Sequence, residues 1–142
     1  MLPSYTFAIC AMVLWGIAPL FAKAGLTKLE PVAALTVRST VITVVLLMFM
    51  LVSGKWNQMT ATAPRDIAFI ALEGICAALV GQLAYYYAIK YGEVSQVAPV
   101  VAAFPLVALV GGILVLGENI TLLKAVGAVM VIAGLVIMKL SG

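Results

Sequence analysis

Charged residues are scarce in this 142-residue sequence, and histidine is absent from it. Only 9% of the residues are charged and 65% are hydrophobic, whereas soluble domains average about 25% charged and about 45–50% apolar residues. A soluble fold of this length could not bury so much apolar surface, but a lipid bilayer would solvate it. The absence of histidine excludes catalysis and metal binding through imidazole. The composition therefore predicts an integral membrane protein.

Several common enzyme motifs are also missing. The sequence contains no GxxxxGK[ST], HExxH or GxSxG pattern, which excludes the corresponding nucleotide-binding, zinc-protease and hydrolase sites. Cys10 and Cys76 lie within apolar stretches, at a spacing that matches no metal motif. We interpret both as small packing residues. We expect no enzymatic activity, no catalytic or metal-binding residues and no cofactor.

The net charge of +3 does not indicate nucleic-acid binding. Such a site needs clustered basic residues, whereas the basic residues here stand singly near the ends of apolar segments, as is typical of membrane helices. They divide almost evenly between the two predicted membrane faces, so the charge bias marginally favours an external N-terminus and is compatible with insertion in both orientations. These residues are Lys23, Lys28, Arg38, Lys55, Arg65, Lys90, Lys124 and Lys139.

Five apolar segments separated by short polar turns predict an all-α membrane protein, a bundle of five transmembrane helices in a single domain over residues 1–142. Each segment has roughly the 20 residues that a bilayer span requires, and an odd number of spans places the termini on opposite faces. Trp56, in the longest polar stretch, fits an interfacial anchor. The predicted helices are Leu2–Leu26, Pro31–Ser53, Arg65–Tyr91, Val94–Leu116 and Thr121–Leu140.

Two ionisable residues fall deep within predicted spans. Arg38 lies roughly 10 Å into helix 2 and Glu73 roughly 12 Å into helix 3, at 1.5 Å per residue. Arg38 could extend to the nearer interface, whereas Glu73 must be protonated, paired or in contact with water. With uniform α-helical spacing, Glu73 also shares one face with small residues that permit close packing or a ligand. These are Ala77, Gly81, Ala84 and Ala88.

Aromatic residues and Gln82 are the other candidates for substrate contact. Tyr85, Tyr86 and Tyr87 follow one another in helix 3, so at least one is expected to face inward. They could form an interfacial aromatic belt or a wall on which organic cations stack. Trp15 could contribute to such a wall or simply pack. Interruption of helices 1 and 4 is expected at Gly16, Pro19, Pro99, Pro105, Gly111 and Gly112.

The order of several short patterns resembles the EamA domain, the repeat unit of the drug/metabolite transporter superfamily. In the first half these are Leu14-Trp15-Gly16, Lys23, Pro31 and Arg38. In the second half they are Tyr86 to Tyr91, Val97-Ala98-Pro99, Pro105, Gly117-Glu118 and Gly127 to Gly134. Most EamA carriers hold two inverted five-helix domains, so the resemblance implies a half-size member that pairs to form a complete carrier.

Helix 5 also resembles the dimerising last helix of the small multidrug resistance proteins, which are four-helix relatives. Gly127 and Gly134, one heptad apart, are the predicted dimer-interface residues. The essential helix 1 glutamate of those proteins is missing, because alignment on Lys23 places Trp15 at its position. Proton-coupled export by that route is therefore not expected.

The sequence thus predicts a secondary transporter of a small metabolite or organic cation, operating without ATP in a bacterial or archaeal plasma membrane. Two half-size units would work by alternating access, as a parallel or antiparallel homodimer or with a second half-size subunit. The predicted substrate-binding or coupling residues are Glu73, Arg38, Trp15, Gln82, Tyr86 and Tyr87. The alternatives are a subunit of a flippase for lipid-linked substrates and a non-transporting structural subunit.

Overall fold

The computed structural model describes the backbone of residues 2–141 and the side chains of residues 4–140. Its regular secondary structure is entirely helical in this range, and five helices are long and apolar enough to cross a membrane. This confirms the predicted fold class. The five spans are Ser4–Leu26, Pro31–Ser53, Pro64–Tyr91, Val94–Leu116 and Leu122–Leu140.

Proline and glycine set most of the boundaries. Pro31 and Pro64 begin their helices at positions where the missing N–H is not needed. Gly54 and Gly117 end theirs with φ of +65° and +67°, a left-handed conformation that glycine adopts without steric cost. The helices are α1 (Leu2–Leu26), α2 (Pro31–Ser53), α3 (Trp56–Thr60), α4 (Pro64–Glu73), α5 (Gln82–Tyr91), α6 (Val94–Ala102), α7 (Phe104–Leu116) and α8 (Leu122–Ser141).

The third span changes helix type midway. A π-helical segment, Gly74–Gly81, joins α4 to α5. A β-carbon at Gly81 would lie 3.0 Å from the Cys76 carbonyl oxygen five residues earlier, which is tighter than nearly all real contacts. Glycine at position 81 therefore accommodates the wider π turn. Uniform α-helical spacing does not hold across this span.

The fourth span is broken at Ala103, between α6 and α7. Pro105 lacks the N–H that would continue the hydrogen-bond ladder, and the Ala103 and Leu106 N–H groups close tight turns on Val100 and Ala103 instead. The predicted interruption of helix 4 is thus confirmed near Pro105. The other predicted interruptions are wrong, because α1 continues through Gly16 and Pro19, α6 through Pro99, and α7 through Gly111 and Gly112.

The chain divides into two compact units, residues 1–91 and 92–142. In the first unit, the buried side chains lie in the second half of α1, at the start of α2 and in α5: Pro19, Leu26, Pro31, Leu35, Tyr86 and Ile89. In the second unit, α6 packs against both α7 and α8. No span contains more than two buried residues, so most of the apolar helix surface is left for lipid or a partner.

Candidate functional site

A lysine joins the ends of the first and third spans. Lys23 Nζ donates hydrogen bonds to the carbonyl oxygens of Ile89 at 2.6 Å and Lys90 at 3.3 Å. Carbonyls in the last helical turn lack intrahelical partners and carry partial negative charge, so a cation is favourable there. Lys23 therefore stabilises the end of α5 and holds it against α1.

A second lysine attaches the turn between the first two spans to the same helix end. Lys90 Nζ lies 2.7 Å from Glu30 Oε1 and 3.4 Å from the Leu29 carbonyl oxygen. The Glu30 side chain is 73% exposed, so the ion pair adds little stability alone. Its effect is positional, because together with Lys23 it fixes one end of the first unit around α5.

The tyrosines of α5 fall into different environments. Tyr86 is buried, with 7% of its surface exposed, and belongs to the core of the first unit. Tyr87 is 39% exposed and stacks on Tyr91, with ring centroids 6.4 Å apart and planes inclined by 16°. Of these two predicted contact residues, Tyr87 presents the more accessible ring to a ligand or partner.

Glu73 and Gln82 lie immediately before and after the π segment. Because a π turn contains more residues than an α turn, Glu73, Ala77 and Gly81 do not fall on the uniform α-helical face expected from the sequence. The π segment instead sets the rotation of Glu73 relative to Gln82. Single π turns inside α-helices often occur at functional sites.

Glu73 and Arg38 are both exposed on their apolar spans. Among the side chains that the structure describes, neither has a hydrogen-bond or salt-bridge partner. Glu73 is nine residues from the start of its span at Pro64, about 14 Å along the axis. A charge at such depth costs several kcal/mol in hydrocarbon, by order of magnitude. Glu73 must therefore be protonated, paired or in contact with water, and Arg38 must be paired, in contact with water or extended to the nearer interface.

The remaining predicted residues are also accessible. Trp15 is 69% exposed and is not part of the first unit's core. Gly127 and Gly134 are exposed on α8, and a β-carbon at either would meet no atom within 4 Å. Their role in dimerisation stays a prediction.

The second unit, residues 92–142, has an open cavity of about 620 Å³ between its two spans. Gly127 lines it together with residues that are mostly small or aliphatic, and Glu118 and Lys124 are its charged residues. The full lining is Ala102, Pro105, Leu106, Ala108, Leu109, Gly112, Leu116, Glu118, Lys124, Gly127, Ala128 and Val131.

Lys23 and Lys90 make contacts that the sequence does not predict, because both resemble ordinary helix-flanking charges. Basic residues in the last turn of a helix are a general signal for carbonyl capping, but the identity of the capped helix depends on which helices are neighbours. Pairing of Lys90 with Glu30, 60 residues apart, likewise required the fold.

Five apolar spans and intramembrane polar side chains define a multi-pass protein of the cell membrane. Residues 2–140 match the EamA-like transporter family, and the chain belongs to this family. It is similar to an uncharacterized transporter in the cobO 3' region of Sinorhizobium sp., with 27% identity over 90% of each chain. It is also similar to the uncharacterized protein MJ1333.1 of Methanocaldococcus jannaschii, with 26% identity over 91% of this chain and 90% of the relative.

No solved structure matches the chain. Both relatives are covered almost completely, so they are about as short as this chain. One domain of this family of membrane transporters therefore spans residues 2–140, and the predicted family and membrane location are confirmed.

Proposed function

We propose that two half-size units, either two copies of this chain or one copy and a second half-size subunit, form a secondary transporter. It moves a small metabolite or organic cation by alternating access around a cavity at the interface between the units. Membership of the EamA-like transporter family supports transport as the general activity. Pairing, substrate class and mechanism are inferred from the chain itself.

The exposure of Glu73 and Arg38 is the observation that carries the proposal. Both lie on spans whose surroundings would otherwise be hydrocarbon. Intramembrane ionisable residues generally face a bundle interior or a water-filled pathway. A partner chain covering these faces would provide that environment. A carrier of this kind binds its substrate in a polar cavity between the two chains.

An antiparallel pair would bring the two charges to one depth. Helix 2 starts from the membrane face opposite to the one from which helix 3 starts, so Arg38 and Glu73 of one chain lie nearer opposite faces. If a second copy of the chain is inverted in the membrane, its Arg38 lies at about the depth of Glu73 in the first copy. The charges could then pair or share one aqueous cavity, which lowers the cost of placing either in the membrane.

The substrate class follows from the groups available to such a cavity. Glu73 would attract a cation, and the accessible Tyr87 ring offers a π face on which an amine can lie. Gln82, at the other end of the π segment, could donate or accept hydrogen bonds. In the empty carrier, Arg38 of one chain would pair with Glu73 of the other chain. A cationic substrate would then replace Arg38 as the partner of Glu73.

Flux through liposomes containing only the purified chain tests this function. A panel of radiolabelled amines and small metabolites should show saturable uptake for at least one substrate, above that of empty liposomes. Translocation of a fluorescent lipid-linked substrate without uptake of small molecules would instead identify a flippase subunit. Neither activity from a folded, dimeric protein would indicate a structural subunit and contradict the proposal for a homodimer.

For a heteromeric carrier, the same assay is repeated with the second half-size chain from the same membrane. Uptake only when both chains are present would assign the site to the mixed pair.

A further inference from the structure

The cavity of the second unit combines an apolar wall with two opposite charges at one end. Glu118 follows the end of α7, and Lys124 lies in the first turn of α8. Both therefore lie near the membrane interface, where lipid headgroups are found. The rest of the lining, including Leu106, Leu109 and Val131, is apolar.

The Glu118 carboxylate lies against the wall of the cavity. The backbone N–H groups of Gly117 and Glu118 both donate to the Gly112 carbonyl oxygen, the latter at 3.0 Å. This fold-back brings Glu118 Oε2 to 3.0 Å from the position that a β-carbon of Gly112 would occupy. Glycine at position 112 therefore leaves room for the carboxylate here, because a β-carbon would require the carboxylate to shift by a few tenths of an ångström.

Lys124 does not neutralise this carboxylate. Its Nζ donates to the Asn119 carbonyl oxygen at 3.4 Å, and the described side chains include no ion pair between Lys124 and Glu118. The interfacial end of the cavity thus offers one anionic and one cationic group that do not satisfy each other. The complementary ligand is a zwitterion with an ammonium and an anionic group.

The cavity is about as long as one leaflet of the membrane is thick. From Pro105 to Leu116 it follows eleven residue steps of α7, about 16 Å at 1.5 Å per residue. Half of a bilayer's hydrocarbon core is about 15 Å. A ligand with a headgroup at Glu118 and Lys124 and an apolar chain along the wall would therefore match both ends of the site.

We infer that this cavity binds a phospholipid with a primary-amine headgroup, such as phosphatidylethanolamine. The ammonium donates to the Glu118 carboxylate, the phosphate accepts from Lys124, and one acyl chain lies against the apolar wall between α7 and α8. This site lies wholly within residues 92–142 of one chain and does not depend on what the protein transports.

Native mass spectrometry of the purified protein with lipids of identical acyl chains tests the inference. Phosphatidylethanolamine should be retained about tenfold better than phosphatidylglycerol, which lacks the amine, because a charge-assisted hydrogen bond is lost. It should also be preferred over phosphatidylcholine, whose quaternary ammonium has no N–H. Equal retention of all three lipids by the parent protein would overturn the inference without any variant.

Charge variants assign the two contacts. Glu118→Gln should abolish the preference for phosphatidylethanolamine over phosphatidylglycerol, and Lys124→Met should weaken both lipids. Glu93→Gln and Lys139→Met remove the same charges outside the cavity and should change neither. Loss of preference in the control variants, or its persistence in Glu118→Gln, would show that the bound lipid does not use these residues.

A methyl group at one of two adjacent glycines provides a sharper comparison. Gly112→Ala keeps every charge but places its β-carbon against the Glu118 carboxylate, whereas Gly111→Ala meets no atom within 4 Å. Only Gly112→Ala should reduce the preference for phosphatidylethanolamine. Equal behaviour of the two folded variants would mean that carboxylate placement is irrelevant.

Excess soluble phosphoethanolamine distinguishes a lipid from a free headgroup. It should not displace the bound lipid, because it lacks the chain that the apolar wall accommodates. Complete displacement would identify a headgroup site alone and contradict lipid docking. The cavity could instead bind a second copy of the chain. In that case Ala128→Phe would lose the dimer, and the parent protein would show no lipid preference. This result would also overturn the inference.

Discussion

The π segment provides a direct test of whether helix geometry positions Glu73. We predict that Gly81→Ala impairs the site whereas Gly74→Ala does not, although both add one methyl group to the same span. At Gly81 the new β-carbon would lie 3.0 Å from the Cys76 carbonyl oxygen, which is backbone and can yield only by a few tenths of an ångström. At Gly74 it would meet nothing within 4 Å.

The two substitutions should affect the stability of the helix differently. Replacing glycine with alanine inside a helix favours the helix by about 0.8–1 kcal/mol, so Gly74→Ala should be neutral or stabilising. At Gly81 the close contact offsets that gain or converts the π turn to an α turn. Removal of one π turn shifts the helix by one residue step, about 100°, which would rotate Glu73 away from its position relative to Gln82.

Two measurements on the purified protein detect this change. Thermal unfolding reports stability, and the rate of Glu73 modification by dicyclohexylcarbodiimide, an apolar carboxyl reagent, reports its surroundings without requiring a known substrate. Gly81→Ala should change the modification rate and abolish any flux, whereas Gly74→Ala should match the parent. Equal stability gains and unchanged modification rates in both variants would refute a positioning role for the π segment.

Three further predictions concern separate parts of the chain. Glu73→Gln should insert and dimerise normally but lose flux or its pH dependence, and unchanged flux across pH would leave Glu73 with a structural role. Replacement of Gly127 and Gly134 with Leu should weaken the dimer by blocking close helix approach, as crosslinking yield would report; a parental yield would exclude this interface. Lys23→Met should lower the free energy of unfolding by about 1–2 kcal/mol, because the carbonyl groups at the end of α5 lose their cap. The control Lys28→Met removes a lysine from an exposed turn and should have little effect. Equal effects of the two substitutions would contradict the capping role of Lys23.

The boundaries of the spans could be predicted because they depend on local chemistry. Pro31 marks the start of α2, and Gly117 marks the end of α7. The break near Pro105 was also predictable, since proline removes a backbone donor. Pro19 has the same local chemistry, yet α1 continues through it, because neighbouring groups and small adjustments can accommodate proline within a membrane helix.

The arrangement of the candidate site was less accessible from sequence. Periodicity at 3.6 residues per turn indicated one small-residue face below Glu73, but the π segment changes the rotation between Glu73 and Gly81. Burial of Tyr86 rather than Tyr87 depends on the packing of α5 against α1 and α2. Three consecutive tyrosines do not reveal which ring enters the core, since that is decided by contacts between distant segments.

Cooperation between two units is the central claim, and mixing active and inactive chains tests it most directly. Parent and Glu73→Gln chains are co-reconstituted at known ratios with constant total protein, and uptake of the substrate identified by the flux panel is measured. If two chains each contribute Glu73 to one cavity, uptake should fall with the square of the parent fraction. A decline in direct proportion to the parent fraction would mean that each chain transports alone, and would contradict the account.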